Sequence, residues 1–274
     1  MGTLLWQRVA VLTIDTIEIK DLRFVFTVDA SIKPQPNKAS ISVFNLNPDH
    51  RAQIEELRSA PVRLDVGYLE GTQTVFLGDL RTCPSSKDGP DWVTTVESGD
   101  GEKAIRTARV NVSAAKGTST DKILKDVATA IGVLPGNLED AAKKIKSAFP
   151  GSGSIFPTGT ILTGSAAREM TNICRSLNLE WSVQKGALQI LERGKALEKS
   201  AVLLSSTTGM IGSPTVDNKG VLSVSSLMNP EIFPGRLLVL EALRLQGQYR
   251  IEECHYAGDT HGAQWQVDVK GKRY

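Results

Sequence analysis

The segment SVFNLNPD, residues 42–49, has a counterpart in SVSSLMNPE, residues 223–231, with a slip of one residue. A second pair follows in the same order: WVTTVESG, residues 92–99, and WQVDVKG, residues 265–271. In both members of the second pair a tryptophan opens the segment, a valine follows four residues later and a glycine ends it. Two matched pairs in one order predict a duplicated β unit. The alternative is that β segments resemble one another by composition alone.

Around both copies, apolar and polar side chains alternate with a period of two, which is typical of strands buried on one face. One helix is predicted in the first region, over NPDHRAQIEELRS, with Asn47 as its cap and Pro48 in its first turn. The second copy has the proline loop NPEIFPG at this place. The predicted strands include RFVFTVDASI, ASISVFNL, VRLDVGY, TVFLGDL and DWVTTVES in the first region, and VLSVSSL, RLLVLEAL, QYRIEECHY and AQWQVDVKG in the second.

Between residues of about 113 and 195 the periodicity is helical. Three helices are predicted: in GTSTDKILKDVATAIGV, with Thr118 and Asp121 as a capping box, in NLEDAAKKIKSA, and in GSAAREMTNICRSLNL, with Ser165 as N-cap. EWSVQKGALQILE predicts a hairpin that turns at Gln184–Gly186. The Gly-rich segment GSGSIFPTG is predicted to be a loop, because it lacks the lysine and following helix of a phosphate-binding loop. These elements form a small α+β module.

The lysines of the second helix are predicted to cover a surface that faces solvent or a partner: Lys143, Lys144 and Lys146. Because the module interrupts the β regions, we expect it to project outward from any ring that those regions build. The predicted domains are therefore residues 1–112, a first β domain, residues 113–195, the inserted module, and residues 196–274, a second β domain. The fold class is mainly β with an inserted α+β module.

Composition excludes several classes of function. With 32 basic and 30 acidic residues the formal charge is +2, which makes no strong electrostatic case for nucleic-acid binding. The chain begins without a basic segment and a long apolar core, which predicts no signal peptide, and it has no apolar run long enough to insert into a membrane. The cysteines are predicted to be reduced and mostly buried, because they are odd in number and far apart: Cys83, Cys174 and Cys254.

The stretch HYAGDTHGAQW, residues 255–265, carries two of the three histidines with an aspartate between them. His255 continues a strand pattern, whereas His261 lies in the Gly- and Asp-containing segment AGDTHG, which predicts a hairpin loop. Glu252 and Glu253, adjacent on a strand, are expected to point to opposite faces, which is wrong for acid–base work on one substrate. We therefore predict a structural turn, no metal, no cofactor and no enzyme, although ion binding on a symmetry axis stays open.

The segments NPEIFPGRLLVL and GQYRIEECHYAGDTHGAQWQVDVKG resemble the C-terminal part of baseplate central hub proteins of contractile-tailed bacteriophages. KPQPNKASISVFNLN and DWVTTVESGDGEKA resemble the N-terminal barrel of the same proteins. The resemblance covers nearly the whole chain, and no motif in it is catalytic. It implies two tail-tube-like β-barrel or sandwich domains related by a pseudo-repeat, and a homotrimer between the hexameric tail tube and the trimeric spike.

We therefore expect a structural virion protein, assembled in the host cytoplasm, that lines the DNA channel of a baseplate. Its expected partners are the tube ring or tube initiator, the spike, other baseplate (wedge) proteins and passing DNA that is not bound specifically. The alternatives are the hub of a tailocin or contractile injection system, or a cell-wall hydrolase or carbohydrate-binding module. The expected channel-lining residues are short and polar and stand at like places in the repeat: Ser40, Ser42, Ser223 and Ser225. The alternative is that they face bulk water on the outside.

Overall fold

The computed structural model describes residues 7–148, 156, 158–197 and 200–274. It consists of two compact units. Unit 1 comprises Met1–Ser31, Asn37–Asp100 and Ala196–Tyr274, and unit 2 comprises Ile32–Pro36 and Gly101–Lys195. The protein is mainly β with an inserted α+β module, which confirms the predicted fold class.

Unit 1 contains one short helix and a large, mostly antiparallel sheet. The strands follow one another across the sheet in the order β14-β15-β18-β17-β3-β4-β8-β6-β5-β1-β2, with β7 beside β8, and β16 between β13 and β17. The elements are β1 (Arg8–Ile14), β2 (Ile17–Ile19), β3 (Phe24–Ser31), β4 (Lys38–Phe44), α1 (Pro48–Glu56), β5 (Pro61–Tyr68), β6 (Gly71–Thr82), β7 (Ser85–Asp88), β8 (Asp91–Gly99), β13 (Val202–Ser205), β14 (Met210–Val216), β15 (Val221–Leu227), β16 (Leu237–Glu241), β17 (Gln246–Asp259) and β18 (Trp265–Arg273).

Unit 1 has two halves: the first half contains β1 to β8 and the second half contains β13 to β18. The two halves pair their strands in the same register. In the first half, β4 pairs with β8 so that Ser42 lies opposite the third residue after Trp92. In the second half, β15 pairs with β18 so that Ser225 lies opposite the third residue after Trp265. The same backbone hydrogen bond follows in both: the amide that is three residues after each serine donates to the carbonyl of the matched tryptophan, at 2.7 Å for Trp92 and 3.1 Å for Trp265.

One irregularity of the sheet is repeated as well. The ladder between β6 and β8 shifts register between Leu80 and Thr82, and the ladder between β17 and β18 shifts between Ile251 and Glu253. Leu80 and Ile251 occupy matched positions. The Leu80 amide donates to the carbonyl of Ala60, just before β5, at 2.8 Å, and the Ile251 amide donates to the carbonyl of Arg236, just before β16, at 3.0 Å. Bulges are conserved design features of a sheet rather than accidents of composition. Their shared position confirms the predicted pseudo-repeat.

The structure aligns the two copies differently from the sequence comparison. Ser42 matches Ser225 rather than Ser223, and Gly99 matches Lys272 rather than Gly271. The error has a physical origin: serines two residues apart on one strand have the same pattern, and only the partner strand decides the register.

Both copies continue into the same local turn after the matched strand. Asn47 accepts a hydrogen bond from the amide two residues later, at 2.8 Å, and caps α1 as predicted. Asn229 accepts the equivalent bond at 2.9 Å, where the second copy has its loop in place of a helix. Pro48 and Pro230 each follow the asparagine, so the predicted correspondence of these two prolines is confirmed to within one residue.

Both halves of unit 1 contribute to one hydrophobic core. On β3 the side chains of Phe24, Phe26 and Val28 are buried, whereas Thr27 and Asp29 between them are exposed. The second half contributes to the same core from matched strands, for example through Val267 and Val269. The alternation places the polar side chains of these strands on the opposite face of the sheet.

Unit 2 has a separate core. Its elements are α2 (Glu102–Thr107), β9 (Arg109–Ala114), α3 (Thr120–Ile131), α4 (Leu138–Ala148), β10 (Thr160–Ser165), α5 (Ala166–Ser176), β11 (Leu179–Gln184) and β12 (Ala187–Glu192). The predicted hairpin is confirmed, and its two-residue turn places Lys185 and Gly186 at positive φ, as this turn type requires. The three predicted helices are also present, and the hydroxyl of Ser165 caps α5.

Two details of unit 2 differ from the sequence prediction. The cap of α3 is Ser119, whose side chain makes no capping bond, so the predicted capping box of Thr118 and Asp121 is wrong. Helix α2 was not predicted, because its six residues are too few to show a helical period. The longer segment of unit 2 spans Gly101–Lys195 and contains the pairing of β9 with β10, and the predicted boundary at 113 stays a prediction. The division into two separate β domains at 1–112 and 196–274 stays a prediction, and most of GSGSIFPTG lies outside the described residues.

The alternation of buried and polar side chains on β4 predicts which substitutions lower the stability of the fold. Ile41 is fully buried on β4, and its neighbour Ser42 points to the polar face. We expect Ile41→Ala to lower the free energy of unfolding by about 2–5 kcal/mol, because it removes buried methyl groups and leaves a cavity. Ser42→Ala is the matched control and should change it by less than about 0.5 kcal/mol. Chemical denaturation monitored by circular dichroism measures both; equal effects would contradict the assigned faces.

Candidate functional site

The polar face of the large sheet carries the short side chains singled out in the sequence. Ser40 donates a hydrogen bond to the Glu97 carboxylate at 2.6 Å, and the hydroxyls of Ser42 and Thr95 lie 3.3 Å apart. In the second half Ser225 donates to the Asp268 carboxylate at 2.5 Å. These contacts show that the serines of β4 and β15 stand on one face of the sheet, at matched positions. Whether that face lines a channel stays a prediction.

Charged side chains continue this face from strand to strand. One row of directly opposed residues crosses five strands: Ser225, Asp268, His255, Asp29 and Lys38. A second row crosses four strands: Ser223, Lys270, Glu253 and Ser31. With Glu97, the two rows hold more carboxylates than lysines, and two of the carboxylates are held by serine hydroxyls. These rows are therefore polar, with carboxylates and lysines on neighbouring strands.

The two halves of unit 1 meet where β3 pairs with β17. The ladder runs antiparallel from Ser31 opposite Glu253 to Val25 opposite Asp259. At one end the Arg23 guanidinium contacts the Asp259 carboxylate at 2.8 and 3.3 Å. The hydrogen bonds from Arg23, together with those from the loop amides, lower the pKa of Asp259 to about 2 despite its partial burial.

Arg8 fastens the first strand of the chain to the same place. Its guanidinium donates to the carbonyls of Asp259 at 3.1 Å, Gly262 at 2.5 Å and Ala263 at 3.2 Å, and lies over the Trp265 ring at 5.8 Å. Arg8 and Arg23 of the first half therefore hold the turn between β17 and β18 of the second half. Neither arginine could be identified from the sequence, because nothing local marks an arginine whose partner lies more than 230 residues away along the chain.

The histidine stretch forms a turn at this junction. His255, on β17, places Nδ1 2.7 Å from the Asp29 carboxylate of β3. His261 donates its backbone amide to the Asp259 carboxylate at 2.9 Å, and its ring contacts the Thr260 hydroxyl at 3.0 Å. The turn is shorter than predicted, because β17 extends to Asp259. Among the described residues, no group of three or more His, Cys, Asp or Glu side chains is placed to hold a metal ion.

The remaining groups singled out in the sequence have separate partners. Glu252 accepts from Arg250 at 2.8 Å, whereas Glu253 pairs with Lys270 at 3.5 Å, so the two carboxylates do not face one substrate. Burial raises the pKa of the Cys83 thiol to about 11 and that of Cys174 to about 12, which keeps both thiols protonated and unreactive at neutral pH. On α4, Lys143 and Lys144 pair loosely with acidic side chains, at 3.5 and 3.9 Å.

The contact of Arg23 with Asp259 predicts how the stability of the fold depends on pH. Because the pKa of Asp259 is lower in the folded protein than in the unfolded chain, its carboxylate stabilises the fold above pH 4, and this contribution is lost as the pH falls from about 4 to about 2. We expect Asp259→Asn to destabilise the protein at pH 7 and to unfold with nearly wild-type stability near pH 2. Glu18→Gln, in the exposed pair of Glu18 and Lys20, is the control and should matter little at either pH. Denaturant titrations at several pH values measure this; a pH-independent effect of Asp259→Asn would contradict the assigned role.

No described helix is both long and apolar enough to span a membrane. No curated relative matches the sequence. Solved structures share its fold at low identity. A 43 kDa tail protein of prophage MuSo2 from Shewanella oneidensis matches with 10% identity and a TM-score of 0.66, over 97% of each chain. A tail protein from Neisseria meningitidis matches with 10% identity and a TM-score of 0.67, over 98% of this chain and 97% of that one.

A third similar structure is an Escherichia coli component of the type VI secretion system, described as structurally similar to the T4 tail proteins gp27 and gp5. It matches with 8% identity and a TM-score of 0.56, over 96% of this chain and 76% of that one. The family model described as baseplate hub gp41 matches residues 10–271. The chain therefore belongs to the baseplate hub gp41 family and is a structural protein of the phage tail baseplate.

Proposed function

We propose that this protein acts as a trimeric hub that joins the hexameric tail tube to the trimeric spike and surrounds the path of the DNA. The observation that carries the proposal is the repeated register of unit 1, in which one chain contains the same β unit twice. Three such chains present six equivalent units. A ring of this kind matches a sixfold partner on one side and keeps threefold symmetry for the other.

The polar face of unit 1 supports the channel part of the proposal. DNA that passes a hub must not be held, and each phosphate bound by Lys or Arg adds a salt-sensitive attraction. In the two rows and Glu97, the carboxylates of Asp268, Asp29, Glu253 and Glu97 stand beside two lysines, Lys38 and Lys270, and would offset the attraction of those lysines for a phosphate backbone. The function is geometric, and we infer no catalytic step. The outward position of the inserted module stays a prediction.

The hub of a contractile injection system that carries no genome is the second candidate. The fold shared with the type VI secretion component supports it. The two candidates differ in what passes through the ring, and DNA in the particle that contains this protein separates them.

The first test is the mass of the purified full-length protein. Native mass spectrometry should give three chains per particle over a range of concentrations, because six repeats are needed to match the tube. A stable monomer or dimer, in solution and in the assembled baseplate, would contradict the proposal.

The second test adds positive charge to the polar face. We expect particles that carry Ser42→Lys with Ser225→Lys to assemble but to eject DNA more slowly at about 50 mM salt and to recover by about 200 mM, since salt weakens phosphate contacts. Ala52→Lys with Gln53→Lys, at two exposed positions of α1, adds the same charge elsewhere and is the control. Normal ejection of the double variant at low salt would show that this face does not meet the DNA.

A further inference from the structure

Two strands of unit 1, β14 and β7, each have an open edge, whereas the strands that correspond to them in the other half, β3 and β17, pair with each other. Within the chain, β3 of the first half pairs with the C-terminal part of β17 of the second half. The strand that corresponds to β3 in the second half is β14, and the strand that corresponds to the end of β17 in the first half is β7. In the described part of the chain, β14 is the end of the strand order and pairs with β15 alone, and β7 pairs with β8 alone.

The register fixes the correspondence of β14 with β3. Val25 lies opposite Ser42 on β4, and Thr27 lies opposite Ser40. On β15 the matched serines, Ser225 and Ser223, lie opposite Ile211 and Thr215 of β14. Ile211 therefore corresponds to Val25 and Thr215 to Thr27. Between them β14 has an irregularity over residues 212–214 that β3 lacks.

The register fixes the correspondence of β7 with β17 in the same way. Gly258 and Ala257 of β17 lie opposite Trp265 and the residue after it. Lys87 and Ser86 of β7 lie opposite Trp92 and the residue after it. Because the two tryptophans are matched, Ser86 corresponds to Ala257. By the same count Asp88 corresponds to Asp259.

Strand β14 also exposes large apolar side chains. Ile211 and Val216 are 38% and 42% exposed, one on each face of the strand, opposite Ser225 and Leu222. An open edge strand with apolar side chains is a template for pairing with another chain, and proteins that keep such an edge cover it. Pro214, which has no amide hydrogen to donate to a neighbouring strand, lies within the irregular segment and outside the paired positions Ile211 and Thr215.

We propose that β14 of one copy pairs antiparallel with β7 of the next copy, in the register that β3 and β17 have within one chain. This inference rests on the proposed trimer and names the surfaces that close it. The pairs seen inside the chain, Val25 with Asp259 and Thr27 with Ala257, become Ile211 with Asp88 and Thr215 with Ser86 of the neighbouring copy. Lys87 then lies opposite the irregular segment.

The contact joins unlike surfaces, so it propagates from copy to copy until the rotation closes. Each copy offers one β14 and one β7, and each also contains one junction of β3 with β17. In a closed trimer the junctions within and between chains alternate around a ring of six β units. The occupant of both free edges is therefore a second copy of this chain.

Paired cysteines test the register. In a Cys83→Ser background, which removes the native thiol nearest to β7, we expect Ser86→Cys with Thr215→Cys to form a disulfide between copies on mild oxidation. Opposed residues of an antiparallel pair have Cα atoms about 4.5–5.5 Å apart, within the range that a disulfide spans. Ser86→Cys with Val216→Cys is the matched control, because Val216 lies one residue further on and its side chain points to the other face.

On a non-reducing gel the test variant should give covalent dimers and then trimers, with nothing larger, whereas the control should stay mostly monomeric. A trimer by native mass spectrometry without disulfides in the test variant would overturn the strand pairing and leave the proposed trimer standing. Equal cross-linking of the two variants would overturn the register. A monomer by mass without disulfides would overturn both proposals, and a ladder beyond trimers would overturn closure.

Discussion

The antiparallel pairing of β3 with β17 is the constraint on which the organisation of unit 1 depends. It joins strands from opposite ends of the chain into one sheet, with Val25 opposite Asp259 at one end. Arg8 and Arg23 reinforce that end by binding the carboxylate and the turn that follows β17. Without this junction each half would have one more open edge, besides β14 and β7, and the polar face would be divided between them.

Because the same β unit occurs twice, the junction also serves as a template. In the proposed ring, neighbouring chains would pack their units as the two units already pack within one chain. The two copies differ at one place: α1 occupies the first copy where the second has the loop after Asn229. In the proposed ring, such a difference would reduce six similar units to threefold symmetry.

Much of this fold could be predicted from the sequence, because its signals are local. Alternation of apolar and polar residues marked the strands, and Asn47 and Ser165 marked two helix starts. The register of the repeat could not be predicted, since the serines of β15 follow a period of two and only β18 decides between them. The arginine contacts with Asp259 were also missed, because they depend on a sheet that brings together residues far apart in sequence. His261 was recognised as part of a turn for a local reason, the Gly and Asp content of AGDTHG, and His255 as part of a strand.

In the proposed hub the two halves of unit 1 occupy equivalent positions in one ring. Electron cryomicroscopy of the assembled baseplate would reveal these positions. We expect a threefold ring in which six β units lie at one radius and β sheet continues across every boundary, within chains and between them. A ring in which the two halves lie at different radii, or in which the sheet is interrupted at the boundaries between chains, would contradict it.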